Sequence, residues 1–477
     1  ADSRSRYDAS PDVAMVAVRE HAGMLFLDFD ETAYLRNSTE DFLDSASPGL
    51  LALLLLRVLD VLKPWRWTGG ENTRDVWRVR LVTLFMPWIW SRWRKRVASL
   101  ASEHGNHSLI EAVRTRQHPT MISTLGFIPV VAPLIDALEL SDLKLIGSRL
   151  NSFEDRRLGK AGMTLNVVNA DMVTTSAVLT DSLDDQPLLE RCARPLRTIW
   201  PGARYRKALA RVYLPGQYLT QVKRPGQRYI LRGILQEDFA FWVICSIAQA
   251  GMPVLHVLGL MLLLLSFWAI YERGYVDNDW VAVHYEKDPK LSETFGQIEV
   301  ATPVIQPWIW ASVSGLIAIF LLRWPAVMTW MDVASWAGVL VATHVGFKVY
   351  NRIDKSTRIW LFPGLQFART ASFVVLVPVG ISASLALGAH VVARWVPYYL
   401  YRIGGKDWPE APFFLSRLLF YVLLWLMIAL TQDFADLLTW TALALLIWNV
   451  FRARKELMNM LRSVHRIDRP APAPKDP

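Results

Sequence analysis

Apolar and polar positions follow two different patterns along this chain, and the change falls near residue 236. From Met24 the chain runs Leu25-Phe26-Leu27 and then stops at Asp28-Phe29-Asp30-Glu31-Thr32. Similar short apolar stretches follow at 118–127, 143–148 and 177–180, with helix-like segments such as 130–140 between them. The first of these closes on Ser123-Thr124. The next is followed, after a polar turn, by Leu158-Gly159-Lys160, and the last closes on Asp181-Ser182-Leu183-Asp184-Asp185. Strands alternating with helices predict a parallel α/β sheet, whose ligand sites lie at the carboxyl ends of the strands. All four polar clusters fall at such ends.

Beyond residue 236 the pattern becomes long apolar runs. Candidate spans lie at 239–251, 254–270, 304–322, 326–347, 372–396, 413–430 and 437–451. An extra broken or tilted span is expected within 361–396, around Arg369 and Pro378. The expectation is an all-α polytopic membrane domain of about seven to nine helices over 237–456. Lys and Arg at 348–358 and 452–469 assign those segments to the cytoplasm, together with the N-terminal domain and a tail at 457–477. The acidic segment 271–289 reads as a membrane-proximal loop.

Composition sharpens this division. The chain has 477 residues, 52% hydrophobic and 20% charged, with a formal charge of +9, which excludes a disordered chain and an average soluble domain. Residues 194–236 hold ten Lys and Arg and no Asp or Glu. That stretch reads as a basic linker on an anionic leaflet, with lipid and not nucleic acid as its partner. Cys192 and Cys245 are far apart and make a disulfide framework or zinc site improbable. Residues 1–18 contain no apolar run of signal-peptide length.

Strand residues at i and i+2 point the same way, so Asp28 and Asp30 can reach one reaction centre. Their repulsion is tolerable beside a divalent metal or when one holds a proton. With Ser123-Thr124, Lys160 and the 181–185 acidic cluster in the same order, residues 22–193 resemble the haloacid dehalogenase (HAD) superfamily of phosphohydrolases. The resemblance implies a Rossmannoid sheet with a helical cap at about 33–119. It makes Asp28 the nucleophile and Asp30 the acid/base, with Ser123 or Thr124 and Lys160 on the phosphoryl oxygens. It also implies a Mg²⁺ site among Asp28, Asp30, Asp181 and Asp185, with Asp184 as a polar support. Asp30 favours a phosphatase or phosphotransferase.

The cap contains the apolar run 49–62, interrupted by Arg57 and Asp60, and the tryptophans Trp65, Trp67, Trp77, Trp88, Trp90 and Trp93 near Arg92, Arg94, Lys95 and Arg96. These features suit a helix lying in a membrane interface, or a buried cap helix.

The segment Asp277-Asn278-Asp279 with Glu286 resembles the first signature of UbiA-type intramembrane prenyltransferases, with Ala282 where an aspartate is expected. The resemblance implies that Asp279 and Glu286 share Mg²⁺ against a diphosphate. Asn278, Asp277, Arg352, Lys355 and Arg358 would then contact the substrate. The resulting expectation is a bifunctional, multi-pass enzyme of a bacterial-type inner membrane. Its membrane half would transfer a phosphosugar, such as 5-phosphoribose, from a sugar diphosphate to polyprenyl phosphate, and its HAD half would remove the sugar phosphate. The alternative is a phosphatase whose membrane half is only an anchor or lipid-binding module.

Overall fold

Leu25–Leu27 form β1, and all three side chains are buried, as a strand covered on both faces requires. The computed structural model describes residues 6–287, 289–404, 411–431 and 437–464. They fall into two compact units, Ala1–Val212 and Tyr213–Pro477. The expected tail at 457–477 lies outside the described residues from 465 onward.

In the first unit, β1 is the middle of a parallel five-stranded sheet with β2 (Thr120–Phe127), β3 (Lys144–Ser148), β4 (Ala177–Thr180) and β5 (Arg194–Arg197), in the order β3-β2-β1-β4-β5. Leu27 lies level with Ile122 on β2 and with Leu179 on β4. The chain winds from β1 to β2 and β3 on one side, then returns to β4 and β5 on the other. The carboxyl end of β1 is therefore the switch point, where such sheets hold their ligands. The α/β expectation holds at this level.

Two boundaries differ from the sequence expectation. β2 does not stop at Ser123-Thr124 but runs on to Phe127, with a shift of register between Ser123 and Phe127. Thr124 Oγ1 accepts the Gly126 N–H at 2.9 Å, a local bond that diverts one ladder position without ending the strand. The sheet also does not end at residue 193. Arg194–Arg197 pair with β4, and Arg197 reaches Asp8 at 2.9 Å, so the flanking charges disguise an edge strand.

The insertion between β1 and β2 is helical, with Ser38–Leu43, Gly49–Leu62, Arg74–Phe85, Ile89–His104 and His107–Arg114. Asn37 and Asn106 cap two of these helices by accepting the N–H groups of Glu40 and Leu109. In Gly49–Leu62 the residues Ala52, Leu53, Leu56 and Leu59 form the buried stripe, while Val58, Val61 and Leu62 are exposed. Trp65 and Trp93 are buried and donate to Glu71 Oε1 and the Val130 carbonyl, so they do not serve as surface anchors. Trp67 and Trp88 are exposed.

The second unit is helical: Pro253–Tyr285, Gln306–Arg323, Trp330–Arg352, Arg358–Ala371, Ile381–Gly404, Phe413–Ala429 and Trp440–Ser463. Among the described residues, Pro253–Tyr285 and Gln306–Arg323 are long and apolar enough to cross a membrane. They meet through small residues, with Ser266 Oγ donating to the Ala311 carbonyl at 2.6 Å and Trp336 Nε1 donating to Ser266 Oγ at 2.9 Å. The expected span at 239–251 is instead three short pieces: the end of a π-helix, Ala240–Ser246 and a 3₁₀ turn.

The expected loop at 271–289 is mostly helix, since Pro253–Tyr285 runs unbroken to within one residue of Glu286. Glu272 is buried there and accepts the N–H groups of Gly216 and Leu219 at 2.9 and 2.8 Å, so its carboxylate is satisfied without leaving the helix. The expected linker 194–236 is likewise divided. Residues to Val212 belong to the first unit, where the Ala208 N–H reaches Glu40, and Leu219, Val222 and Ile234 are buried in the second.

Candidate active site

Asp28 is the first residue beyond β1, and its N–H donates to the Leu179 carbonyl at 2.9 Å, which fixes it between β1 and β4. The residue is only 6% exposed. Its Oδ1 accepts the Phe29 N–H at 2.7 Å, and its Oδ2 lies 2.8 Å from both Lys160 Nζ and Thr180 Oγ1. Lys160 Nζ and Thr180 Oγ1 are each also 2.5 Å from Asp185 Oδ2. Two buried carboxylates therefore share one ammonium and one hydroxyl. The hydroxyl carries a single proton and can donate to only one of them at a time.

Lys160 follows Gly159, whose φ of 68° and ψ of −179° interrupt the helix Glu154–Leu165. That conformation is essentially restricted to glycine, so the sequence Gly159-Lys160 is a local device for breaking the helix at the lysine. Burial opposes the lysine's charge, but Asp185 and then Asp28 outweigh it and hold its pKa above the ordinary value. Burial raises the Asp28 pKa, and Lys160 works against that rise.

Asp30 is partly buried, and its Oδ1 accepts the Ser38 N–H at 2.7 Å. Burial pushes its carboxyl up to about 7, against the hydrogen bonds from Ser38 and with a further upward contribution from Asp28. A carboxyl that holds a proton near neutrality can act as a general acid. Glu31 adopts a left-handed φ of 57° in the turn that follows.

Ser123 and Thr124 are both buried, with different partners. Ser123 Oγ lies 2.9 Å from Thr164 Oγ1, which donates to the Lys160 carbonyl at 2.8 Å. Ser123 is thereby tied to the helix that carries the lysine, whereas Thr124 is occupied by its own strand. Asp184 is exposed, and its N–H donates to Ser182 Oγ.

Asp181 is partly buried and is pushed up to about 8 by burial and then by repulsion from Asp28 and Glu31. Among the described residues, no group of three or more His, Cys, Asp or Glu side chains is gathered for a metal. Asp185 is committed to Lys160 and Thr180, and Asp30 to Ser38. Asp28 has the same lysine and hydroxyl as partners, together with the Phe29 N–H, and its repulsion of Asp181 marks the place where a divalent cation would offset charge. Two carboxylates fit Mg²⁺, which usually keeps several of its waters.

Two residues here were not singled out from sequence. Thr180 is the last residue of β4, and a hydroxyl directly before Asp181 was the available signal. Arg156 lies 3.5 Å from Asp75 of the inserted helices and covers the Phe127 ring at 4.7 Å, with the charge of Asp30 also acting on it. Its partners are too distant in sequence for any local pattern to reveal them.

In the second unit each member of the expected metal pair has its own cationic partners. Asp279 is buried against Lys223 at 2.5 Å and Tyr218 at 2.8 Å, while Glu286 pairs with Lys355 and Arg358 at 3.0 Å each. Asp277 pairs with Arg273 at 2.8 Å, and Arg352 is exposed and donates to the Lys348 carbonyl. Asn278, Glu286, Lys355 and Arg358 line one cavity of about 320 Å³, whereas Asp277, Asp279 and Arg352 are not among its lining residues. Cys192 and Cys245 are free thiols.

No family model, curated protein or solved structure matches this chain.

Proposed function

We propose that Ala1–Val212 is a Mg²⁺-dependent phosphohydrolase of the HAD type, acting on a phosphomonoester carried by a lipid. The observation that carries this reading is the buried lysine 2.8 Å from Asp28 at the switch point of a parallel sheet, with a proton-holding Asp30 two positions on. Asp28 attacks phosphorus as the ester P–O bond breaks, and Asp30 delivers its proton to the leaving oxygen. Asp30, now a carboxylate, then takes a proton from water while the water oxygen joins phosphorus. The bond from phosphorus to Asp28 breaks, freeing phosphate and restoring the carboxylate. Lys160 neutralises charge on the phosphoryl oxygens in both steps. Asp28 and Asp181 would hold Mg²⁺, which when bound supplies further charge stabilisation at the phosphoryl group.

The lipid part of the reading is supported by the exposed apolar face of Gly49–Leu62 with Trp67, and by the two helices able to cross a membrane. It corresponds to a multi-pass protein of an inner membrane with its hydrolase unit in the cytoplasm. In purified protein, Asp28→Asn is expected to abolish Mg²⁺-dependent phosphate release. Full release by that variant overturns the hydrolase.

A second reading, transfer of a phosphosugar to polyprenyl phosphate by a UbiA-like Tyr213–Pro477 unit, is favoured by the polar cavity that includes Asn278 and Glu286. Lipid products analysed by mass spectrometry separate it from an anchor. Loss of product in Glu286→Ala with phosphatase retained supports transfer, and no product from the unaltered chain supports the anchor.

A further inference from the structure

The Mg²⁺ site implied for the Tyr213–Pro477 unit does not fit the residues present. Ala282 supplies no ligand, Asp279 is closed off by Lys223 and Tyr218, and both oxygens of Glu286 are engaged by Lys355 and Arg358. The cavity beside them has the opposite character. Its lining includes Lys223, Arg224, Lys290, Lys355, Arg358 and Arg402, and Glu286 is the one carboxylate among its described lining residues.

Several of these cations are fixed in place. Arg358 is buried and donates to Glu286 and to the carbonyls of Asn351 and Ile353 at 3.0 and 3.2 Å. Lys290 and Arg402 are positioned by the hydroxyls of Tyr401 and Tyr398 at 2.6 and 3.1 Å. Lys223 also faces the Tyr275 ring at 5.8 Å. Asp279 offsets Lys223, and Glu286 is shared by Lys355 and Arg358, so the cations still outnumber the carboxylates at the cavity, a balance that a multivalent anion would relieve. A volume of about 320 Å³ is near the low end for ligand pockets, room for a headgroup and not for a long chain.

We infer that this cavity binds a phosphate or diphosphate group through its own lysines and arginines, in place of a divalent metal. The inference deepens the transferase reading by naming how its anion is held. Binding without transfer would leave the inference intact while removing that reading. The anion can come from a soluble phosphorylated molecule or from a lipid headgroup.

The test is a titration of inorganic pyrophosphate into the full chain in neutral detergent with EDTA present, read by calorimetry. Binding is expected to persist in EDTA. Lys355→Ala, whose side chain is 45% exposed, and Arg402→Ala should each weaken it at least about tenfold, the effect of losing one charge-assisted hydrogen bond. Lys95→Ala, at an exposed lysine of the first unit, should leave it unchanged, which separates this site from a general loss of positive charge. Ala282→Asp should weaken binding, whereas at a metal site it would strengthen binding and make it depend on Mg²⁺. Competition by dodecyl phosphate in phosphatidylcholine vesicles assigns the site to a lipid headgroup, and absence of competition assigns it to a soluble anion. Binding seen only with Mg²⁺, or binding unaltered in both Lys355→Ala and Arg402→Ala at unchanged melting temperature, overturns the inference.

Discussion

Lys160 Nζ lies 2.8 Å from Asp28 Oδ2, with both side chains almost wholly withdrawn from water. Removing one partner of such a pair leaves the other charge buried and uncompensated, at a cost of about 3–5 kcal/mol. Lys160→Met is therefore expected to lower stability by that amount in urea unfolding and to abolish phosphate release. Asp28→Asn, which keeps hydrogen-bonding capacity, should unfold much less easily than Lys160→Met while being equally inactive.

Gly159→Ala tests how the lysine is delivered. An added Cβ would meet nothing within 4 Å, so its effect comes from the backbone at φ 68° and not from crowding. The strain is about 1–3 kcal/mol. The expected result is a stability loss in that range together with a fall in kcat. A neutral substitution would show that the helix break does not hold the lysine in place.

Asp75 links the inserted helices to the sheet unit, 2.9 Å from Arg78 and 3.5 Å from Arg156. Burial alone would raise its pKa, but Arg156 and Arg78 outweigh burial and hold it below the ordinary value of 3.8. The folded state therefore binds this proton less readily than the unfolded chain. The contribution is complete above the ordinary aspartate value and disappears as pH falls through the lower folded value. Melting temperatures measured from pH 5 to pH 3 should fall more steeply for the unaltered chain than for Asp75→Asn. Parallel curves would remove Asp75 from the account.

Val61 and Trp67 are each 81% exposed beside the inserted helices. If this face meets lipid, Val61→Ser with Trp67→Ser should raise the apparent KM for a phosphomonoester lipid in vesicles by about tenfold or more, from the lost burial of two large apolar groups. Turnover of soluble p-nitrophenyl phosphate should not change. An equal effect on both substrates would point to damage within the cap.

Much of the sheet unit was legible because its signals are local. An apolar triplet ending in Asp28-Phe29-Asp30 predicts a buried strand and a polar site at its end, and neither conclusion depends on distant residues. The division of labour among the carboxylates was not legible, because Asp185 is drawn to Lys160, 25 positions away, and Thr180 to Asp28, 152 positions away. Only the packing of β1, β4 and the interrupted helix decides that Asp28 and Asp185 share the one ammonium.

The helical half shows the same limit more sharply. Its apolar runs determined that helices form, since hydropathy over a window is a property of neighbours. The charges of Glu272, Asp277 and Asp279 made the following segment read as a loop, because a carboxylate in apolar surroundings is costly unless something pays for it. The tertiary structure supplies that compensation from elsewhere in the chain: N–H groups of Gly216 and Leu219 for Glu272, and Lys223 for Asp279. Sequence alone therefore determined the alternation of elements and the polar residues just beyond β1 and β4. Which charges neutralise each other, and which are left facing a cavity, was decided by long-range packing, because electrostatic partnership depends on distance in space and not on separation along the chain.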